Sequence, residues 1–168
     1  MSTLLIEGES TIRANRAEVW AALHDLEILR RCVPGVQSLT RDTHGVLLGA
    51  VELAVGRLRG TLHGRVTITE TQAPERMTLA LEARAPFGVV KASGRLELTE
   101  QDGGTRVRWA GTPQLSGLLA TFGSRLLGGV VQQKAEHFFQ RLEREACQLG
   151  AEESPVGEFR QANTLPRS

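Results

Sequence analysis

At 168 residues the chain is long enough to bury a sizeable core as one domain. Its 20 basic and 19 acidic residues nearly cancel, which leaves no global electrostatic reason to bind nucleic acid. Hydrophobic residues make up 40%, as in ordinary globular proteins, and no apolar run approaches the roughly 18 residues of a spanning helix. The N-terminus has no basic stretch leading into an apolar one, so it does not read as a secretory signal. Cys32 and Cys147 fit neither a disulfide framework nor a C-x-x-C pair, and the expectation is free thiols in a reducing cytoplasm.

The first predicted element is a strand over about Leu4 to Ile12, with Leu4, Ile6 and Ile12 on one side and Glu7, Glu9 and Thr11 on the other. Asn15 then offers an N-cap and Glu18, three residues on, completes a capping-box pattern. The helix that follows turns Val19, Trp20, Leu23 and Leu26 inward. Asp25 caps a second short helix carrying Ile28 and Leu29, which must stop at Cys32-Val33-Pro34-Gly35 because proline cannot continue it. From Gly35 the period switches from 3.6 to 2. Strands are predicted over Val36–Arg41, Val46–Val55, Leu58–Thr69, about Met77–Arg84, Val90–Leu98 and about Arg106–Trp109. Turns fall at Asp42–Gly45, Gly56, Ala73-Pro74-Glu75, Pro86-Phe87-Gly88 and Asp102-Gly103-Gly104. Pro113 leads into a long helix over Ser116 to Leu149, with Ser116 as N-cap. Its apolar residues, Leu118, Leu119, Phe122, Leu126, Val130, Val131, Phe138, Leu142 and Ala146, recur at helical spacing, and Lys134 falls on the wet face.

The order is therefore strand, two short helices, six strands, one long helix. This predicts an α+β helix-grip fold, a curved antiparallel sheet of about seven strands wrapped around the C-terminal helix. The domain is expected over residues 1–149, with a disordered tail over 150–168, where periodicity ends. The alternation puts the small residues Gly60, Gly64, Ala83, Ala92 and Gly94 on the inner face, opposite Gly123, Gly128 and Gly129 of the helix. Each helix glycine costs about 1 kcal/mol relative to alanine. One reading is close backbone packing and sheet bends; the other is space for a ligand. On the second reading the candidate cavity residues are Leu53, Gly64, Val66, Met77, Leu79, Val90, Ala92, Gly94, Leu96, Trp109, Phe122, Leu126 and Val130, and such a lining suits a lipophilic small molecule.

The chain offers no catalytic signature. His24, His44, His63 and His137 are scattered, and His137 alone is placed to edge the cavity. No cluster has metal-ligand spacing, and neither a phosphate loop nor a nucleophile elbow is present. The expectation is no catalytic residue, no metal and no tightly bound cofactor. The outer sheet face carries Arg59, Arg65, Arg84, Lys91, Arg95, Arg106 and Arg108 against Glu82 and Glu97. It reads as a solvated face with cross-strand pairs, or as a docking patch for an anionic lipid surface or an acidic partner.

Three stretches together resemble the CoxG family of carbon monoxide dehydrogenase proteins, within the START-like, SRPBCC helix-grip superfamily. They are Cys32-Val33-Pro34-Gly35, the glycine-spaced basic strand Gly56 to Val66, and Gly104 to Leu115 followed by Phe122 to Leu127 and Phe138-Phe139. The resemblance implies a non-catalytic accessory protein of a molybdenum hydroxylase of the carbon monoxide dehydrogenase type. It implies a quinone, menaquinone or ubiquinone, as the carried ligand, and peripheral contact with the inner membrane from a cytoplasmic location. The alternatives are a docking protein without a ligand and a START-like cavity enzyme, a cyclase or hydrolase.

Overall fold

The computed structural model describes residues 4–153; of the tail expected to be disordered over 150–168, residues 150–153 are helical and the rest lies outside the described residues. Strand β1 (Ile6–Ile12) is followed by helices α1 (Arg16–Leu23) and α2 (Leu26–Cys32). Strands β2 (Val36–Arg41), β3 (Leu47–Val55), β4 (Leu58–Gln72), β5 (Arg76–Ala85), β6 (Gly88–Gln101) and β7 (Gly104–Gly117) come next. A 3-10 turn (Leu118–Thr121) leads into helix α3 (Ser124–Glu153). All seven strands form one antiparallel sheet in the order β1-β7-β6-β5-β4-β3-β2, so only the β1–β7 pairing joins distant parts of the chain. This is the α+β helix-grip fold, a curved sheet with a long C-terminal helix.

Local chemistry sets the boundaries. Asn15 Oδ1 accepts from Glu18 N at 2.8 Å while Glu18 Oε1 accepts from Asn15 N at 3.2 Å, a complete capping box. Asp25 Oδ1 accepts from Ile28 N at 3.1 Å and starts α2. Asp42 Oδ1 accepts from the backbone N–H of His44 and of Val46, which builds the β2–β3 turn and holds the carboxyl below its ordinary pKa. Asp102 and Gly103 both have positive φ, as a two-residue hairpin requires.

The long helix does not begin at Ser116, nor does Gly123 lie inside it. Residues 110–117 continue β7 in register with β6 as far as Gly88↔Gly117. Pro113 misled the alternation there. It suggests the end of a strand, but β1 stops pairing at Gly111, and a proline is tolerated on the open edge that follows. Gly117, at φ +72°, then turns the chain, and Phe122 is extended, so an α-helical ladder cannot pass through either residue. α3 starts at Ser124 and, at 30 residues, runs for about 45 Å.

The dry core sits at one end of the sheet. Ile12, Val19, Ile28, Cys32, Leu98, Val107, Phe139, Leu142 and Ala146 form one buried cluster from α1, α2, the ends of β1, β6 and β7, and the C-terminal half of α3. Thr105, fully buried beside it, donates from Oγ1 to Ala14 O at 2.8 Å. The ion pairs Arg13–Glu143 (3.2 Å) and Arg31–Glu145 (2.8 Å) add to the same anchorage, and their arginines are largely exposed. Exposed pairs contribute about 0–1 kcal/mol each, so burial of the apolar stripe stabilises this end more than the ion pairs do. Leu142→Ala is accordingly expected to cost about 2–5 kcal/mol in urea unfolding, whereas Glu145→Ala is expected to cost under about 1 kcal/mol.

Candidate functional site

Beyond that core the helix and the sheet part. An internal chamber of about 410 Å³ lies between the N-terminal half of α3 and the inner face of the sheet, and opens to solvent. The helix contributes Leu127, Val130, Val131, Lys134, Ala135 and Phe138, one stripe at helical spacing. The sheet contributes Ile6, Leu53, Val55, Leu62, Val90, Trp109, Pro113 and Leu115, alternate residues of their strands. Pro34 from the α2–β2 corner and Leu119 from the 3-10 turn complete the wall. Many of these side chains are only partly buried, as expected where facing surfaces do not meet. Lys134 is the one charged residue in the lining, and among the described residues no carboxylate pairs with it. Its aliphatic stem lies along the wall, because the chamber surface is almost wholly apolar.

Of the thirteen candidate residues, Leu53, Val90, Trp109 and Val130 line this chamber. Met77 is buried, and Leu96 packs with Trp109 against the core cluster. Val66 and Ala92 are partly buried inner-face residues, in register with Leu81 of β5 on either side. Leu79 lies over Gly94, its Cδ1 3.2 Å from where a Cβ would stand, and Gly64 is closed by Ala83 at 3.0 Å. Phe122 packs at the Gly56 turn, and Leu126 is 42% exposed.

The small residues of the sheet therefore do not map the empty space. Gly60 is covered by the Phe87 ring, with Cε1 at 2.9 Å from an added Cβ. Gly8, which the alternation had not singled out, is covered by the Trp109 ring at 2.6 Å. Gly8, Gly60 and Gly94 make room for a neighbour's large side chain, Gly64 lies against Ala83 and the β5 backbone, and the void arises where α3 stands off. Twelve of the sixteen lining residues were not among the candidates, Pro113, Leu115 and Lys134 included. The first two continue the alternation of Val107 and Trp109 past Gly111, a signal obscured by the proline. The third sits seven residues before Arg141 on what looked like a uniformly wet face.

Gly128 and Gly129 are different. A Cβ at either would meet nothing within 4 Å, so they are not sites of close helix–sheet contact. They face an open groove beside β1, where Gln132 Nε2 donates to Glu7 O at 2.6 Å.

Little of the chain's acid–base or nucleophilic chemistry reaches the chamber. His44, His63 and His137 are exposed, and His24 Nδ1 lies 2.8 Å from Trp20 O at the end of α1. Cys32 and Cys147 are both free; Cys32 is fully buried, and burial pushes its thiol up to about 11, which makes it a poor nucleophile at neutral pH. Among the described residues no group of three or more His, Cys, Asp or Glu is placed to hold a metal. Among the same residues no helix is long and apolar enough to cross a membrane.

The family model for the carbon monoxide dehydrogenase protein CoxG matches residues 8–147. No curated protein matches the sequence. Among solved structures, a conserved protein from Geobacillus kaustophilus is similar at 25% identity and a TM-score of 0.81, over 86% of this chain and 96% of that one. A START superfamily protein from Mycobacterium smegmatis shares the fold at 12% identity and a TM-score of 0.64, over 88% of this chain and 99% of that one. So does the Zhui aromatase/cyclase from Streptomyces sp. R1128, at 16% identity and a TM-score of 0.62, over 86% and 94%.

Because Gly128 and Gly129 are helical and their Cβ positions are open, Gly128→Ala and Gly129→Ala are each expected to stabilise the protein by about 0.5–1 kcal/mol. Thermal unfolding checks this. A loss of stability would show that α3 packs more closely on β1 than this geometry allows.

Proposed function

Because the chain belongs to the CoxG family of carbon monoxide dehydrogenase proteins, we propose that it is a non-catalytic accessory protein that carries a lipophilic molecule, a quinone in the first instance, between a membrane and a molybdenum hydroxylase. The observation that carries this reading is the apolar chamber of about 410 Å³ with a single charged lining residue, Lys134. Small-molecule sites usually measure roughly 300–1,000 Å³ and pair an apolar lining with few polar groups. The chamber lies at the lower end of that range. It suits a quinone ring with the first part of its tail, with a ring carbonyl turned toward the Lys134 ammonium at the rim.

A longer isoprenoid chain needs more room, and α3 is built to yield it. Its C-terminal half is fixed in the core, whereas its N-terminal half roofs the chamber and contains adjacent glycines at 128 and 129. Bending at that point moves Leu127 together with the 3-10 turn, which packs against β6 and β7, relative to the rest of the roof. Leu118 and Leu126, exposed on the same end beside Arg125, supply an apolar edge for contact with a membrane. The shared fold with an aromatase/cyclase does not favour an enzyme here, because the lining residues include no carboxylate, histidine or cysteine to move a proton.

Trp109 lines the chamber and Trp20 does not, which gives the reading a direct test. Titration of the delipidated protein with a short-chain menaquinone is expected to quench tryptophan emission saturably, and Trp109→Phe is expected to remove that quenching. Leu115→Trp, which places an indole in the void, is expected to lower affinity at least tenfold at a stability change under about 1.5 kcal/mol. Solvent extraction of the natively purified protein, followed by mass spectrometry, identifies the molecule carried. Absence of any extracted lipid together with no saturable quenching would falsify the carrier reading.

A further inference from the structure

The outer face of the sheet, away from the chamber, is divided by charge. At the β1–β7–β6 end Glu7, Glu9 and Glu97 interleave with Arg95 and Arg108 around a polar groove. Two arginines there are paired, Arg106 with Glu9 at 3.4 Å and Arg95 with Glu97 at 3.9 Å. Across β3 to β6 the balance fails. A second groove, of about 580 Å³, is bordered by Arg65, Arg84 and Lys91, with His63 beside them, and Glu82 is its one carboxylate. Glu82 stands in register between Arg65 and Lys91. Even so, among the described residues no carboxylate oxygen comes within 4.0 Å of any of the three cations. Leu48, 39% exposed, and Val89 give the same groove an aliphatic floor.

Like charges gathered on one surface repel one another and persist because water screens them. They become favourable when an opposite charge arrives, which raises both association rate and selectivity. We propose that this groove docks an acidic segment of another protein, one that sets carboxylates against Arg65, Arg84 and Lys91 and an apolar side chain on Leu48 and Val89. Its concavity favours a polypeptide over a bilayer, since a flat lipid surface touches the cationic rim and leaves the floor in water. The chain's own C-terminal segment is a poor occupant, because from Ser154 onward it carries Glu158 against Arg160 and Arg167. The groove lies on the opposite face of the sheet from the chamber, so a docked partner leaves the chamber opening clear. The proposal does not depend on the carrier reading.

Fluorescence anisotropy with the full chain and a labelled peptide of alternating glutamate and leucine tests it, with a lysine–leucine peptide as the control. The acidic peptide is expected to bind in a salt-sensitive way and the basic one not to bind. The triple variant Arg65→Glu, Arg84→Glu, Lys91→Glu is expected to weaken binding by roughly tenfold or more. The Arg95→Glu, Arg108→Glu variant, at the balanced end of the sheet, is expected to bind as wild type does. Should charge reversal disturb folding by circular dichroism, the triple glutamine variant repeats the test. The proposal is overturned if the acidic peptide does not bind or if both variants lose binding equally. It is overturned equally if the three cations prove to mediate binding to phosphatidylglycerol vesicles or self-association in place of peptide binding.

Discussion

Everything about this molecule follows from where its long helix is held. Residues of α3 from about Phe139 onward sink into a cluster with α1, α2 and the ends of β1, β6 and β7. Leu142 and Ala146 are fully buried there, and Glu143 and Glu145 reach back to Arg13 and Arg31. Over about 45 Å of continuous helix, fixing one half dictates the path of the other. The sheet, bent by the bulges at Val36/Ser38 and Ile68/Glu70, curves along its own line. The two surfaces separate, and the separation is the chamber. An apolar stripe that runs from Leu127 to Ala146 of α3 is thus used twice, as core at one end and as cavity roof at the other.

This division explains the pattern of glycines. On the sheet, Gly8 and Gly60 accept the rings of Trp109 and Phe87, so large side chains lie flat rather than fill the centre. On the helix, Gly128 and Gly129 touch nothing. Their cost to helix stability, about 1 kcal/mol each, has no packing gain to offset it. The glycines lie near the N-terminal end of the roof, about ten residues before the anchored segment that begins at Phe139, so they weaken the helix where only Leu127 of the roof precedes them.

The two faces of the sheet serve different chemistry. The inner-face residues that line the chamber are apolar, and the one charged side chain there, Lys134, comes from α3. The outer face is polar, with its charges matched at the β1 end and unmatched across β4 to β6. Because side chains alternate strictly across a strand, one strand such as β4 presents Leu62 to the chamber and Arg65 to the groove without compromise.

Sequence alone was sufficient for everything governed by local chemistry. The capping box at Asn15 and Glu18, the Asp25 cap, the stop at Pro34-Gly35, the turns at Asp42 and Asp102, and the inward and outward sides of each strand all depend on residues a few positions apart. The order of β2 to β7 followed from short connections, which leave an antiparallel meander little choice, whereas the pairing of β1 with β7 joins distant parts of the chain and was not legible in it. The C-terminal region was misjudged where two elements compete: Pro113 and Leu115 look like a lead into a helix, and only the pairing of β7 with β6 to Gly117 makes them strand. The placement of the candidate cavity residues was decided by tertiary structure. Leu53 and Val66 share one inner face, and whether each meets the chamber depends on the angle at which α3 crosses above them. That angle is fixed by the burial of Leu142 and Ala146 some four turns away, a distance over which no pattern in the sequence carries information.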